Sequence, residues 1–428
     1  MQESFIHYLW QFQYFDKKDL KTTNGESLSV FQTGSLNTDA GPDFSSAKVK
    51  IDSMDWMGSV EMHTKSSGWY DHGHDSDPAY EKVVLHVVWV HDKPVTRNDG
   101  TELPTLELQH RVDPGLIENY KRLVENSSVI PCEKLFPEVS EITKLSMLDR
   151  SLMQRLETKA AQVSQLLEST QNDWEEVTYQ LMARNFGFKI NYDPFFQLAN
   201  AIPRKILLKH ADSLRDIEAL LFGQGGFLDY GIKDEYFKDL QQEYKALASK
   251  YGLENQKLRK EDWKFLRLRP ANFPTIRIAQ FSALFFRNRS LFAKLMEATQ
   301  IKDITKLFDV NTSEYWHTHY RFGRKTARSI SGMGEESVHN IIINTIAPLL
   351  VAYGKAQDDQ NLIDRAVDFL QKTPAEKNKI TKTWASMNLQ PRQAFDSQAL
   401  IELNNNFCLK RRCLDCNIGI DILKPAKT

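Results

Sequence analysis

Residues 41–63, GPDFSSAKVKIDSMDWMGSVEMH, contain the pattern that decides the fold of the first part of the chain. A proline-aspartate turn ending at Asp43 is followed by two alternating segments, residues 47–51 and 57–64, with a short polar turn between them. Alternation with a period of two predicts strands, and the short polar connection predicts that they pair as an antiparallel hairpin. In that hairpin Asp43 lies at the outer end of the first strand.

The second strand of the hairpin carries three polar residues on one face. Successive strand side chains alternate between faces, so Glu61, His63 and Lys65 point the same way, toward the end of the hairpin where Asp43 lies. Two carboxylates there can hold Mg²⁺ or Mn²⁺ with waters for a phosphate substrate. We therefore predict metal binding by Asp43 and Glu61, with His63, helped by Lys65, orienting water or stabilising developing charge. A common turn followed by a solvated strand face is the alternative interpretation.

The elements around the hairpin predict an α+β fold. Phe5, Tyr8 and Leu9 share one face of an N-terminal helix, and the run at residues 83–90, VVLHVVWV, is typical of a central strand covered on both sides. The segment DPAYEKV, with Asp77 as N-cap, predicts a second helix. After about residue 137 helical patterns dominate.

The predicted domains follow this change of pattern. Residues 1–130 are predicted to form a mixed sheet flanked by helices, and residues 131–396 a mainly α-helical domain. Residues 397–428 are predicted to be a cysteine-containing tail that packs back near residue 132.

The order of these elements resembles the PD-(D/E)xK core of restriction-endonuclease-like nucleases over about residues 1–110. By that resemblance Asp43 and Glu61 match the metal-binding acids, and His63 stands where the family usually has lysine. Glu3 would be the additional acid that some members carry. A degenerate core that only binds nucleic acid is the alternative that the histidine implies.

Histidines are concentrated close to the hairpin. Six of the eleven in the chain fall in one stretch: His63, His72, His74, His86, His91 and His110. His72 and His74, with Asp77, lie in a tight loop where they could ligate a transition metal or only form loop hydrogen bonds. Alone on an apolar strand, His86 is interpreted as a core residue. The cluster gives a second enzyme hypothesis, a histidine-rich metal-dependent hydrolase with a substrate other than nucleic acid.

The four cysteines of the chain are a third group of candidate ligands, after the hairpin acids and the histidines. Cys408, Cys413 and Cys416 lie in a short basic tail, and Cys132 lies near the predicted domain junction. Four thiolates are the number needed for tetrahedral zinc or for an iron–sulfur cluster. We predict a structural metal at these cysteines, with buried thiols as the alternative.

Basic and aromatic residues alternate in the segment WKFLRLRPANFPTIRIAQF and in the nearby RFGRK. Basic groups contact phosphates and aromatic rings stack on bases, so this region predicts a nucleic-acid groove. The residues expected to contact nucleic acid are Arg267, Arg269, Arg277, Arg324 and Lys325. Amphipathic helices with solvated arginines are the alternative.

Overall composition limits the remaining possibilities only weakly. The chain has 55 basic and 56 acidic residues, so its net charge neither requires nor excludes a nucleic-acid partner. Its N-terminus lacks the features of a secretory signal, and no stretch of about 18 uninterrupted apolar residues occurs. We therefore expect a cytoplasmic protein with no membrane partner, and the sequence does not indicate an oligomeric state.

Several segments together, among them GSLNTDAGPDF, RLRPANFPTIRIAQ and the FC-x4-C-x2-C ending, resemble an uncharacterised family of bacterial proteins known only as a domain of unknown function. The resemblance extends over nearly the full length and implies no activity. From the residues themselves we predict a Mg²⁺- or Mn²⁺-dependent nuclease, with non-catalytic nucleic-acid binding as the alternative of a different class.

Overall fold

The computed structural model describes residues 1–37, 39–97, 99–327 and 332–424. Two compact units divide the chain: the first joins Met1–Met147 to Leu403–Thr428, and the second is Leu148–Glu402. The sequence analysis predicted domain boundaries after residues 130 and 396, whereas the two compact units meet after residues 147 and 402. The predicted boundaries stay predictions.

The first unit contains both strands and helices, and helices predominate in the second. The strands are β1 (Leu28–Gln32), β2 (Ser35–Leu36), β3 (Phe44–Ile51), β4 (Met54–Lys65), β5 (Val83–Val90), β6 (Thr105–Glu107), β7 (His319–Arg321) and β8 (Arg324–Lys325). The α-helices are α1 (Glu3–Phe12), α2 (Gly68–Asp71), α3 (Pro114–Glu125), α4 (Glu141–Ser169), α5 (Trp174–Phe186), α6 (Tyr192–Ala201), α7 (Arg204–Leu208), α8 (Leu214–Gln224), α9 (Glu235–Tyr251), α10 (Pro274–Arg287), α11 (Leu291–Glu297), α12 (Ile301–Phe308), α13 (Glu335–Ile341), α14 (Ala347–Gln357), α15 (Gln360–Lys372), α16 (Lys379–Ser386), α17 (Ala394–Glu402) and α18 (Asn417–Leu423). The described residues also include the π-helical segments Ile342–Ile346 and Leu403–Cys408 and several short 3-10 turns. This architecture confirms the predicted α+β class.

The first unit is built on one mixed sheet in the order β1-β3-β4-β5-β6, with β2 beside β3. β3 and β4 form the predicted antiparallel hairpin, with Phe44 opposite Val60 and Ile51 opposite Met54. β4 then pairs in parallel with β5, and β5 in parallel with β6. β4 is therefore the strand at which the antiparallel and parallel halves of the sheet meet.

Close approach of β4 to β5 depends on Gly58. A Cβ atom at that position would lie 2.4 Å from a methyl carbon of Val84 and 2.6 Å from the carbonyl oxygen of Lys82. Such distances are far inside van der Waals contact, so only glycine fits. Beyond this point Val60, Glu61, Met62 and His63 are all buried, which shows that both faces of β4 are covered.

Helix α1 packs between the sheet and α3. The ring of Phe5 stacks on Tyr120 of α3 with centroids 3.9 Å apart, and it lies 6.5 Å from the ring of Trp89 in β5. Phe5 and Leu9 are fully buried, as their helical spacing predicts. Burial of each such side chain contributes about 1.5–3 kcal/mol.

Local signals explain where several helices begin. Asp113 caps α3 by accepting hydrogen bonds from the backbone N–H groups of Gly115 and Leu116, and Pro114 occupies the first helical position. The helix predicted after Asp77 is only a single 3-10 turn, Pro78–Tyr80, although Asp77 does cap it. Instead, the short helix α2 lies directly after β4, where no helix was predicted.

Among the described residues, the helical run Glu335–Gln357 in the second unit is long and apolar enough to cross a membrane. Its most apolar window is 72% buried within the protein.

Candidate metal centre

The two acids predicted from the hairpin meet in the structure. The backbone N–H of Asp43 donates to Oε2 of Glu61 at 3.0 Å, and the N–H of Met62 donates to Oδ2 of Asp43 at 3.0 Å. The turn before β3 is fixed in place because the N–H of Asn37 donates to the carbonyl oxygen of Asp43 at 2.7 Å. The carboxylates are therefore held side by side by backbone groups that cannot move independently of the sheet.

Histidines surround these acids. His74 Nε2 lies 3.2 Å from Oε1 of Glu61, and His63 Nε2 lies 3.8 Å from the same oxygen. His63 Nε2 is also 3.1 Å from Nδ1 of His72. Ring nitrogens of His63, His72 and His74 all lie within 4.8 Å of one another. The loop after α2 thus places two imidazoles over the face of β4 that carries Glu61 and His63.

Helix α1 adds groups that the sequence analysis missed or treated as minor. His7 Nε2 lies 3.2 Å from Oδ2 of Asp43, and the charge of Glu3 raises the pKa of Glu61. Glu3 and His7 are four residues apart and so occupy one face of the helix. That spacing was the available signal for His7, but nothing local showed that this face of α1 meets Asp43.

Burial and neighbouring charges of the same sign shift the pKa values of Glu61, His63 and His74. The pKa of Glu61 is raised to about 8, mainly by burial and then by the charge of Asp43, while the hydrogen bond from the Asp43 N–H opposes the shift. Burial, reinforced by His72 and His74, lowers the pKa of His63 to about 3, and burial also lowers the pKa of His74. The rings of His63 and His74 are therefore neutral near pH 7, with lone pairs available to a cation.

Two ring nitrogens at the site are buried without a suitable hydrogen bond. Nε2 of His7 and Nε2 of His74 are each 3.2 Å from a carboxylate oxygen, yet neither contact has hydrogen-bond geometry. Buried imidazole nitrogens that face carboxylate oxygens without forming a hydrogen bond are an arrangement that a bound cation would satisfy. The donor set suits a first-row transition metal better than Mg²⁺, which prefers oxygen ligands and water.

His86 lies behind the cluster on β5 and is fully buried. Its Nε2 is 2.9 Å from Nδ1 of His63. For His63 Nε2 to offer a lone pair to a metal, Nδ1 must carry the ring proton and donate it to His86. His86 is a core residue, as interpreted, and it also orients the His63 ring.

A cavity of about 350 Å³ adjoins the histidines. It is lined by His74, Tyr80 and Trp69, and the ring of Tyr80 stacks on His74 with centroids 3.7 Å apart. The charged residues of its lining are Asp75, Asp77, Glu81, Asp99 and Arg97. Room for a substrate therefore exists beside the cluster, in surroundings that are mainly acidic.

Lys65 lies at the end of β4 and is exposed. None of the contacts found among the described residues joins it to Asp43 or Glu61. Lys65 thus shares the predicted strand face without taking part in the cluster.

The predicted nucleic-acid-binding residues divide into two groups. Exposed positions are occupied by Arg267, Arg269, Arg324 and Lys325. Arg277 is only 4% exposed and donates to Gln280 and Ser337, so its guanidinium cannot reach a phosphate. The interleaved pattern predicted a surface residue there, but this face of α10 is buried.

A neighbouring half-buried arginine, Arg321, lies against aromatic rings. The guanidinium of Arg321 lies over the rings of Phe265 and Phe273, at 4.3 and 4.6 Å, which joins the β7–β8 hairpin to the segment that carries Arg267 and Arg269. The charge of Arg324 acts on Arg321. A basic patch with adjacent rings thus exists within the second unit.

A second cavity, of about 620 Å³, lies within the second unit and is lined by none of the clustered histidines. Its cationic lining residues, which the sequence analysis did not single out, are Arg155, Lys159, Arg184, Lys189 and Lys379. Lys159 donates to Oδ1 of Asn344 at 2.8 Å, and burial together with the charge of Arg155 lowers its pKa to about 7. This cavity favours anions, in contrast to the acidic one.

The fold and the cluster define a class: an α+β protein whose mixed sheet carries carboxylates and imidazoles in an arrangement able to bind a divalent metal. The chain belongs to the family described as a protein of unknown function, DUF2851, whose model matches residues 3–379. This match confirms the resemblance to an uncharacterised family and includes every residue of the cluster. Searches of curated proteins and of solved structures find no match to the chain.

Proposed function

We propose that this protein is a metal-dependent phosphodiesterase acting on nucleic acid. The observation that carries the proposal is the reciprocal pairing of Asp43 and Glu61 through backbone hydrogen bonds, with three imidazoles beside them. The order α1, β3, β4, α2, β5 around that pair is also the order of the PD-(D/E)xK core that the sequence resembles.

In this proposal Asp43 and Glu61 bind a divalent cation with neutral His63 as a nitrogen ligand. A lysine in the place of His63 would supply positive charge to the transition state, whereas a neutral imidazole supplies a lone pair. A cation held by these residues would supply the charge that polarises a phosphoryl oxygen and activates a water. Mn²⁺ or another first-row transition metal fits this mixed donor set. His72 and His74 complete the coordination or hold the attacking water.

Exposed cations of the second unit support a nucleic-acid substrate. Arg267, Arg269 and Arg324 are exposed and offer phosphate contacts, and the nearby Arg321 lies over the rings of Phe265 and Phe273. If the protein binds nucleic acid without cleaving it, this basic patch would account for the binding. Such binding would weaken with salt and would survive loss of metal.

A second candidate function is metal-dependent hydrolysis of a substrate that is not a nucleic acid. The observation that favours it is the acidic lining of the cavity beside His74. Side chains such as Asp75, Asp77 and Asp99 repel a polyanion and favour a neutral or cationic substrate.

Cleavage of labelled single- and double-stranded DNA and RNA with Mn²⁺ tests the proposal. We expect cleavage by the wild-type protein and a loss of at least about a hundredfold in Asp43→Asn, because that change removes a metal-binding carboxylate. Asp55→Asn is the matched control, since Asp55 is an exposed acid on the same strand as Glu61. Equal cleavage by wild type and Asp43→Asn would reject the site.

The same protein preparations separate the alternatives. Salt-sensitive binding without cleavage, unchanged by chelator, supports the binding-only function. Hydrolysis of small ester or amide substrates that depends on Asp43, without cleavage of any nucleic acid, supports the second candidate.

A further inference from the structure

All four cysteines of the chain lie in the first compact unit, although residue 132 and residues 408–416 are far apart in sequence. Cys132 follows α3, and Cys408 ends the second π-helical segment. Cys413 begins a 3-10 turn, and Cys416 is the residue directly before α18. All four are reduced thiols, and the three at positions 132, 408 and 416 are only 6–7% exposed.

The tail that carries three of these cysteines is fixed to the rest of the unit. Asn417 donates from its backbone N–H to Sδ of Met147 at 3.4 Å and from Nδ2 to Oγ of Ser146 at 3.1 Å. Asn119 of α3 donates to the carbonyl oxygen of Ile422 at 3.3 Å. Helix α18 is thus attached to both α3 and the beginning of α4.

The turn from Cys413 to Cys416 is packed tightly against α18. A Cβ atom on Gly419 would lie 2.1 Å from the carbonyl oxygen of Cys413, so glycine is required there. The N–H of Cys416 donates to the same carbonyl at 3.3 Å. Two cysteines separated by two residues in a tight turn have the spacing found in structural metal sites.

The thiols lie within electrostatic range of one another as well as being buried. Cys132 lies close enough to Cys413 and Cys416 for their charges to interact, and Cys408 interacts with all three. The 3-10 turn that begins at Cys413 also contacts the π-helical segment that ends at Cys408.

We propose that Cys132, Cys408, Cys413 and Cys416 together hold one thiophilic metal centre, either a zinc ion or an iron–sulfur cluster. Buried cysteines that act only as small apolar residues have no reason to gather from two distant segments. Four thiolates complete the ligand set of a structural site, and Arg411 with the exposed Lys410 offsets its negative charge. The centre joins the end of the chain to the segment after α3 and so stabilises the first unit. This inference does not depend on the histidine cluster or on the proposed function.

The test is metal analysis of untagged protein purified without oxygen. We expect about one zinc ion, or iron with acid-labile sulfide, per chain, in addition to any metal at the histidines. This content should be lost in Cys413→Ser and retained in His72→Ala, the control for the other site. An iron–sulfur cluster is distinguished from zinc by its visible absorption and by its electron paramagnetic resonance signal after reduction.

Cobalt substitution keeps the proposal falsifiable if Cys413→Ser does not fold. Wild-type protein refolded with Co²⁺ should show intense thiolate-to-cobalt charge-transfer absorption, and His72→Ala should show the same band. Metal-free protein with four thiols that react after unfolding, together with a cobalt spectrum that lacks thiolate charge transfer, would overturn the proposal.

Discussion

Glu61 combines features that conflict in the absence of a cation. It is 5% exposed, lies beside the carboxylate of Asp43, and has a pKa raised to about 8. A buried carboxylate next to another acid costs free energy that the surrounding backbone hydrogen bonds do not fully offset. Residues of this kind are typical of sites where stability is given up for binding or catalysis.

Replacement of Glu61 by glutamine should remove a pH-dependent loss of stability. The folded pKa of about 8 is above the ordinary value of 4.5, so the folded state holds a proton that the unfolded state has released. The associated stability is complete below about pH 4.5 and is lost as pH rises through 8. Between pH 6.5 and 9, in chelator, we expect the wild-type free energy of unfolding to fall by about 2 kcal/mol from this group. Glu61→Gln should lack that fall in urea denaturation.

Titration of His63 does not contribute to the change in the free energy of unfolding between pH 6.5 and 9. Its pKa is lowered to about 3, so its contribution to stability rises with pH between about 3 and 6.5 and is constant above that range. With Mn²⁺ present, wild type should gain stability at pH 9 and Glu61→Gln should gain much less, because a neutral amide is a weaker ligand. The same pH dependence in both proteins would show that Glu61 does not carry the shifted proton.

At the scale of elements, α2 positions the histidine cluster although it has only four residues. A Cβ atom on Gly68 would lie 2.7 Å from Cδ2 of His63. The helix therefore packs its backbone directly on the imidazole ring. This contact, together with the hydrogen bond to His86, leaves the His63 ring little freedom to turn.

Gly68→Ala should therefore weaken metal binding more than it weakens folding. The added methyl must displace the His63 ring, and disturbed orientation of a ligand typically reduces metal affinity about 10- to 100-fold. Isothermal titration with Mn²⁺ or Co²⁺ measures the affinity, and thermal denaturation in chelator measures stability. The control is Gly231→Ala, where a Cβ atom would meet nothing within 4 Å. Unchanged affinity in Gly68→Ala would mean that His63 is not a ligand.

At the scale of the whole molecule, the first unit is assembled from two ends of the chain. Its tail buries several large apolar side chains: Leu403, Phe407, Ile418 and Leu423. Each contributes about 1.5–3 kcal/mol. Because a domain has a net stability of only about 5–15 kcal/mol, the N-terminal segment depends on residues more than 250 positions away.

Deletion of residues 403–428 should unfold the first unit selectively. Hydrogen exchange followed by mass spectrometry should show lost protection throughout residues 1–147, while peptides from Leu148–Glu402 stay protected. Leu409→Ser is the control, because Leu409 lies in the same tail but is 57% exposed. Full protection of residues 1–147 in the deleted protein would show that the unit folds without its tail.

The local sequence pattern was sufficient to predict the two hairpin strands and the positions of Asp43 and Glu61 on them. Alternation with a period of two determined that Glu61 and His63 share a face, and the short turn determined that Asp43 arrives at the same end. Both follow from backbone geometry over fewer than about 25 residues, so no distant part of the chain was needed.

Arg277 shows where local pattern misleads. Its spacing from neighbouring basic and aromatic residues is that of an amphipathic helix, yet the guanidinium is buried and bonded to Gln280 and Ser337. Periodicity determines which side chains share a helix face, but it does not determine which face other helices cover.

The sequence by itself determined the hairpin, its paired acids and the presence of four cysteines. Only the tertiary structure decided that His7 reaches Asp43, that His72 and His74 lie over β4, and that His86 holds the ring of His63. Within an element, bond geometry fixes the direction of each side chain. Between elements, contacts depend on how helices and loops pack on the sheet, and no spacing along the chain encodes that packing directly.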